Sequence, residues 1–410
     1  MGDTSAGRRI LMLAPQLPYP PHQGRSVRNY NLLRFLAGRH EVSLLAFADP
    51  CTRPEHLEHL ERLCRRVRTV PAPERRPADR LWSLLSSPWP DMAWRLASPE
   101  YAAAFRGWLA EERFDLLQVE GIELARYLLG PDVLGPQRPL VVFDEHNAEY
   151  LLQKRAFLAD ARNPLRWPAA AYSLLQWLKL RSFERQVCRR ADRVVAVSQA
   201  DAKALRALDP AVRPFVVPNG VDLERCRPGL SPLPGLARPC LVFVGKMDFR
   251  PNIDAVLWFA RQVLPRLWSR RPDVGFYVVG QSPSPRLSVL RREPRIVITG
   301  WVDDPRPYIA GAEVYVVPLR VGGGTRLKVV EAMAMGAAMV STSLGVEGLG
   351  AVDGRQLLLA DDPHGFAQRI LELLDDADRR RRLGLAARAF VEERYGWERI
   401  GPLLEAAYRG

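Results

Sequence analysis

No apolar run in this sequence is long enough to cross a bilayer, which takes about 18 to 20 residues. The longest uncharged stretch of the second half, 332–346, is broken by Gly336 and Gly345. Cysteine is scarce. The five present (Cys51, Cys64, Cys188, Cys226, Cys240) are odd in number, scattered and never spaced as CxxC, which argues against a disulfide framework or a zinc site and fits a reduced compartment. Lysine is equally scarce: Lys154, Lys179, Lys203, Lys246 and Lys328 are five among 59 basic residues. Nearly all the positive charge is therefore arginine, and a lysine stands out as a departure from that bias. Neither a low-complexity tract nor a nucleic-acid-binding module is present, and the net charge of +13 is dispersed, so nucleic acid is not an expected partner. Met1–Arg9 is small, polar and charged, and the run Ile10–Ala14 is too short for the core of a signal peptide. The expected location is the cytoplasm, with peripheral attachment at the inner face of the membrane as an option.

What the sequence does have is bulk for two cores. With 410 residues and 47% apolar content, it suits two domains of about 150–200 residues each. Short aliphatic runs bounded by turn residues recur at 10–14, 42–47, 115–119, 140–143 and 194–197, then at 241–244, 276–279, 296–298 and 314–317. Helix-like segments separate most of them, and this alternation, seen twice, is the pattern of parallel α/β sheets. Turn-formers cluster at Pro218-Asn219-Gly220 and again through Pro228-Gly229 to Pro234-Gly235. The expected division is 1–222, a linker at 223–235, a second domain at 236–390, and a C-terminal helix at 391–410 that packs back on the first domain.

The most informative stretch runs from Val321 through Gly322, Gly323, Gly324, Thr325, Arg326, Leu327 and Lys328 to Glu331 and Gly336, after the strand at 314–317. Glycines let a backbone approach a ligand, Thr325 suits a helix cap, and the helix N-terminus favours an anion. Arg326 and Lys328 put positive charge where the helix dipole opposes it, a conflict that a bound diphosphate removes. Glu331 stands three residues beyond Lys328 among apolar neighbours, so it needs a partner: either Lys328 itself or hydroxyl donors such as a ribose diol. Lys246 follows Gly245 at the carboxyl end of the strand at 241–244, where open α/β sheets place their ligands.

In the first half, a proline-stiffened loop, 15–23, reaches Gly24 before a helix, and Asp144-Glu145-His146-Asn147 follows the strand at 140–143. His146 is the best single catalytic candidate there. The segment Tyr150–Arg193 mixes Leu, Trp and Tyr with arginines. It reads either as core-packed helices or as a face for an anionic membrane surface.

These residues resemble the retaining family 4 glycosyltransferases of the GT-B fold, in particular bacterial exopolysaccharide-type sugar transferases. The likeness rests on the first loop with Gly24 and Arg28, on Phe143-Asp144-Glu145-His146-Asn147, on Val216 to Asp222, on Val244-Gly245-Lys246-Met247-Asp248, and on Gly324 to Ala334. It implies an α/β fold of two Rossmann-like domains facing across a cleft. A nucleoside-diphosphate sugar is the implied donor, and a polysaccharide or lipid-linked molecule the acceptor. It further implies diphosphate on Lys246, Lys328 and Arg326, donor contacts from Gly24, Gly245, Gly324 and Thr325, ribose on Glu331, His146 positioning acceptor or sugar, and retention of configuration with neither metal nor cofactor. The family's E-x7-E motif keeps its second glutamate as Glu331, whereas the first falls on Gly323. A non-catalytic sugar-nucleotide-binding scaffold and a sugar-nucleotide epimerase are the alternatives.

Overall fold

Two all-parallel sheets organise the chain, whose computed structural model describes residues 7–21, 24–50, 52–130, 133–135, 138–321 and 327–409. The first sheet contains β1 (Arg9–Ala14), β2 (Glu41–Ala48), β3 (Arg66–Pro71), β4 (Leu116–Glu120), β5 (Leu140–Glu145), β6 (Arg193–Ala196) and β7 (Phe215–Val216), in the order β3-β2-β1-β4-β5-β6-β7. The second contains β8 (Cys240–Val244), β9 (Gly275–Val279), β10 (Ile296–Gly300), β11 (Val314–Val317), β12 (Met339–Ser341) and β13 (Leu358–Leu359), in the order β10-β9-β8-β11-β12-β13. Central strands such as β1, β4 and β11 are buried along nearly their whole length. That is why they read as continuous apolar runs: helices cover both faces of a parallel sheet.

The packing divides the chain into two units, Met1–Pro218 with Ile400–Gly410, and Asn219–Arg399. Each is a Rossmann-like α/β domain with its own core. Leu11, Phe47, Phe105, Leu117, Phe143 and Phe183 lie in the first, and Phe243, Phe259, Phe276, Val316, Met333 and Phe366 in the second. The segment 223–235 falls within the second unit. The residues from Ile400 onward close on the first, where Tyr408 Oη meets Gln118 Oε1 at 3.2 Å and Arg8 Nη1 donates to the Tyr408 carbonyl at 3.1 Å.

In both sheets the strand order reverses once, between β1 and β4 and between β8 and β11. The crevice at the carboxyl ends of such strands is where doubly wound sheets bind ligands. The segment Tyr150–Arg193 forms two packed helices, Glu149–Ala161 and Trp167–Arg190. Ala170, Leu180, Phe183 and Val187 turn inward, while Leu158, Leu165, Trp167, Tyr172, Leu175 and Leu178 stay exposed. None of the described helices is long and apolar enough to cross a membrane.

Candidate functional site

In the first unit, polar side chains accumulate at the carboxyl ends of β4 and β5. Gln118 and Glu120 stand two apart in β4, so they share a face, and both are fully buried. Gln118 Nε2 donates to Glu120 Oε1 at 2.8 Å, and Glu120 Oε2 lies 2.9 Å from His146 Nε2. With Tyr408 behind Gln118, this makes a continuous chain from the C-terminal helix to His146. In the amide orientation that satisfies its partners, Asn29 also donates to Glu120 Oε2 at 3.0 Å.

Arg28, on the helix Gly24–Ala37, grips Asp144 at the end of β5. Its Nη2 donates to Oδ2 at 2.8 Å and Oδ1 at 3.0 Å, its Nε to Oδ2 at 3.1 Å, and its Nη1 to the carbonyls of Val217 and Pro218 at 3.0 and 3.1 Å. Five charge-assisted bonds are needed because both side chains are almost wholly removed from water.

Burial sets the protonation of this cluster. It pushes His146 down to about 4, leaving a neutral imidazole at pH 7. It pushes Glu120 up to about 7 and Asp144 up to about 6, with Arg28 pulling the other way in both. The second ring nitrogen, His146 Nδ1, is buried with no hydrogen-bond partner among the described residues, and so is Glu123 Oε2. Gly121, with φ of 83°, sits against both. A Cβ there would stand 3.1 Å from Glu123 Oε2 and 3.6 Å from His146 Nδ1, so a side chain at 121 would crowd the two open acceptors. Glu123 stays anionic because the Arg25 guanidinium, 2.9 Å away, outweighs the upward push of burial. Substrate hydroxyls are the donors such a pair of acceptors suits.

Ligand atoms of Glu120, Asp144 and His146 lie within 4.8 Å of one another, a spacing open to a metal ion. Those atoms are already engaged by Arg28, Gln118 and the His146–Glu120 contact, and a cation there would compete with a buried guanidinium.

In the second unit the matching corner lies beyond β8. Gly245 N donates to the Val279 carbonyl at 2.9 Å, and the loop closes when Asn252 Nδ2 donates to the Lys246 carbonyl at 2.8 Å. Lys328, second residue of the helix Leu327–Ala334, reaches across: its Nζ donates to Asn252 Oδ1 at 2.7 Å and lies 4.2 Å from the centre of the Phe243 ring. Gly245 is what permits this. A Cβ there would come within 2.8 Å of Asn252 Nδ2 and 3.1 Å of Lys328 Nζ. Lys246 is exposed, its Nζ 3.4 Å from Asp248 Oδ2. The structure thus brings Lys246, Lys328 and Gly245 together through Asn252, a residue the sequence offers only as a helix-start amide.

Glu331 lies one turn beyond Lys328 but does not pair with it. Among the described residues no donor reaches its carboxylate, and burial pushes it up to about 7, with Arg225 and Arg306 pulling the other way. Next to it lies the buried Tyr315 hydroxyl of β11, whose pKa is raised by burial and by Glu331. The helix ends at a glycine: Gly336 has φ of 71°, its N–H bonds to Met333 O at 3.0 Å, and Ala337 N bonds to Ala332 O at 3.0 Å, the paired bonds of a glycine-terminated helix. Gly323, Gly324, Thr325 and Arg326 lie outside the described residues. Gly24 opens the helix that carries Arg28.

Residues 23–225 match the family described as Glycosyltransferase Family 4, and residues 238–376 match Glycosyl transferases group 1. An uncharacterized 44.6 kDa protein in the cps region of Klebsiella pneumoniae is 22% identical over 96% of this chain and 97% of its own length. A phosphatidyl-myo-inositol mannosyltransferase of Mycolicibacterium smegmatis is 32% identical over 47% of this chain, a match spanning 50% of that protein. Among solved structures, HepE from Anabaena in complex with UDP superposes with a TM-score of 0.67 at 15% identity, covering 98% of this chain and 99% of that one.

Proposed function

The chain belongs to the family 4 glycosyltransferases, and on that premise we propose that it moves a sugar from a nucleoside-diphosphate sugar to a polysaccharide or lipid-linked acceptor, with retention of anomeric configuration and without a metal ion. The observation that carries the donor reading is the corner at β8. There Lys328 and Lys246 stand together at a sheet's switch point, while Glu331, one turn deeper, has an acceptor group that no donor reaches among the described residues. Lysine ammoniums suit a diphosphate, and a ribose diol supplies the two O–H groups that Glu331 lacks. The UDP held by HepE makes uridine nucleotides the first to try, and the cps-region relative supports a polysaccharide setting.

A nucleoside diphosphate is a good leaving group. The work left to the protein is to stabilise the charge that develops as the glycosidic C–O bond breaks, and to hold an acceptor hydroxyl in place. Lys328 and Lys246 take the first task. For the second, His146 is held by Glu120 so that Nδ1 presents a lone pair to a hydroxyl of sugar or acceptor. In same-face attack, the departing phosphate oxygen takes the acceptor's proton, so no strong protein base is required.

Membrane contact is peripheral. Leu81, Trp82 and Leu85 are exposed on the helix Pro77–Ser86, as are Leu165, Trp167 and Leu178 at and before the helix Trp167–Arg190. Lys179 ties the two surfaces by donating to the carbonyls of Leu84 and Ser87 at 2.6 and 2.7 Å. The exposed Arg80 and Arg166 lie in the same two segments, which suits anionic lipid.

The test is calorimetric binding of UDP, GDP and ADP, followed by donor turnover with the matching nucleotide sugars. One nucleotide binding tightly, and its sugar being consumed only when an acceptor is added, is the expected result. Absence of any nucleotide binding would overturn the donor reading, and binding without turnover would favour a scaffold.

A further inference from the structure

A cavity of about 430 Å³ opens in the first unit, within the size range of small-molecule sites. Trp89, Trp94, Pro99, Phe105 and Tyr127 wall it, and two arginines, Arg106 and Arg126, share the lining. These guanidiniums differ from their neighbours. Arg75 and Arg95 both pair with Asp91, whereas neither Arg106 nor Arg126 meets a carboxylate among the described residues. Arg126 is partly buried over the Trp94 ring, 4.5 Å from its centre, and its Nη1 donates to the Ala93 carbonyl at 3.0 Å. A half-desolvated cation without a counter-ion, set in aromatic walls, is electrostatically incomplete.

Two further facts place this cavity. Trp94 touches Trp82 edge-on, with ring centres 6.1 Å apart, so the cavity adjoins the exposed helix Pro77–Ser86. Arg126 also follows Glu120 by six residues, and even a fully extended chain of that length spans only about 21 Å. The cavity lining takes in the start of the helix Pro99–Glu111, which leads into β4, and the turn Ala125–Leu128, which leaves β4, so the cavity lies toward the carboxyl end of the same sheet as His146. Burial, with Glu123, pushes the carboxyl of Glu149, three residues past His146, up to about 7, and Arg95, beside Trp94, is among the groups pulling the other way.

We propose that this cavity holds part of the hydrocarbon chain of a phosphate-bearing lipid, with Arg126 and Arg106 on the phosphate and the head group directed toward His146. The inference rests on the glycosyltransferase reading and deepens it: the acceptor is lipid-linked. Apolar walls alone would take any hydrophobic segment, but the half-buried Arg126, which meets no carboxylate among the described residues, and the exposed Arg106 beside it select an amphiphile with an anionic head. The exposed apolar helix alongside provides entry from a membrane surface.

The probe is dodecyl phosphate below its micelle-forming concentration, compared with dodecanol and with inorganic phosphate and followed by tryptophan fluorescence. Wild-type protein should bind dodecyl phosphate at least tenfold more tightly than either control. Ala102→Trp fills the cavity and should weaken dodecyl phosphate at least tenfold. Arg126→Gln should bring dodecyl phosphate to the level of dodecanol while leaving dodecanol unchanged. Circular dichroism checks that each variant is folded, and Arg126→Gln decides alone if Ala102→Trp is not. Undiminished dodecyl phosphate binding in Arg126→Gln, or no preference over the controls in wild type, overturns the proposal. UDP binding is measured on the same samples. Its retention when alkyl phosphate fails to bind sinks the lipid site alone, and its absence when alkyl phosphate binds sinks the donor reading alone.

Discussion

Arg28 and Asp144 form a buried, two-pronged ion pair that joins the helix Gly24–Ala37 to the end of β5, side by side with the His146–Glu120 contact. Removing one partner strands the other charge in the core. Arg28→Met is expected to cost about 3–5 kcal/mol in urea unfolding. The double variant Arg28→Met with Asp144→Asn should recover part of that loss, because the uncompensated carboxylate is gone. A single variant with wild-type stability would mean that the pair is not buried as described.

His146 owes its chemistry to Glu120. When Glu120 is ionised, His146 donates through Nε2 and Nδ1 keeps its lone pair; when Glu120 is protonated, it donates to Nε2 and the ring proton moves to Nδ1. With Glu120 raised to about 7 and His146 lowered to about 4, turnover should fall as the pH drops through about 7, well above the range in which His146 itself charges. Glu120→Gln fixes the wrong tautomer and should give a low rate without that acid limb. His146→Ala should lose about 100-fold or more in turnover with nucleotide binding intact. Full turnover in His146→Ala would remove the assignment.

How far the site was legible in the sequence follows from which groups act through chain neighbours and which through space. Lys246, Lys328, Glu331 and His146 stand at strand ends or helix starts, and their positions can be read from apolar runs and glycines. Glu120 and Asn252 cannot be read so easily, since their partners are 26 and 76 residues away. The available signal for Glu120 was a pair of polar residues two apart, Gln118 and Glu120, in a strand otherwise apolar. The strands β3, β7, β12 and β13 do not stand out in the sequence, for different reasons. β3 alternates arginine with valine at a sheet edge, and β7 and β13 are two residues long. β12 shares one apolar stretch with the preceding helix, separated from it only by the Gly336 turn. The sequence left open whether Glu331 pairs with Lys328. The structure turns Lys328 to Asn252 because Gly245 leaves room for it there.

The two lysines should contribute unequally to diphosphate binding. Lys328 is positioned by Asn252 and by the Phe243 ring, whereas Lys246 is half exposed beside Asp248. Lys328→Met is expected to weaken UDP by about 1.5–3 kcal/mol, the worth of a hydrogen bond to a charged group, with little effect on uridine. Lys246→Met should cost less, because an exposed pair is worth at most about 1 kcal/mol. Equal losses for UDP and uridine would place Lys328 away from the diphosphate.

Leu165 is 93% exposed and Trp167 62% exposed, so charging them should not disturb the core. Wild-type protein should float with vesicles rich in anionic phospholipid and not with zwitterionic ones. In Leu165→Asp with Trp167→Asp, affinity should drop at least tenfold, since each large apolar side chain contributes about 1.5–3 kcal/mol on burial. High salt should weaken wild-type binding in the same direction. Unchanged flotation of the double variant would show that this face does not meet the membrane.

Glu331 links nucleotide binding to a proton. Its carboxyl is raised to about 7 by burial, above the usual value of about 4.3. The folded state therefore holds a proton that the unfolded state releases, and the stability this gives is full below about pH 4 and is lost as the pH rises through 7. Glu331→Gln should remove that dependence and be more stable than wild type at pH 8, where the wild-type carboxylate is ionised without a donor. A ribose diol reverses the balance, because two O–H donors favour the ionised form. At pH 7 the site is half protonated, so nucleotide binding should expel about half a proton, measured by calorimetry in buffers of different ionisation enthalpy. Glu331→Gln should bind without expelling one, and Glu331→Ala should bind at least tenfold more weakly, about 1.4 kcal/mol. Proton uptake on binding, or release undiminished in Glu331→Gln, would take the ribose away from this residue.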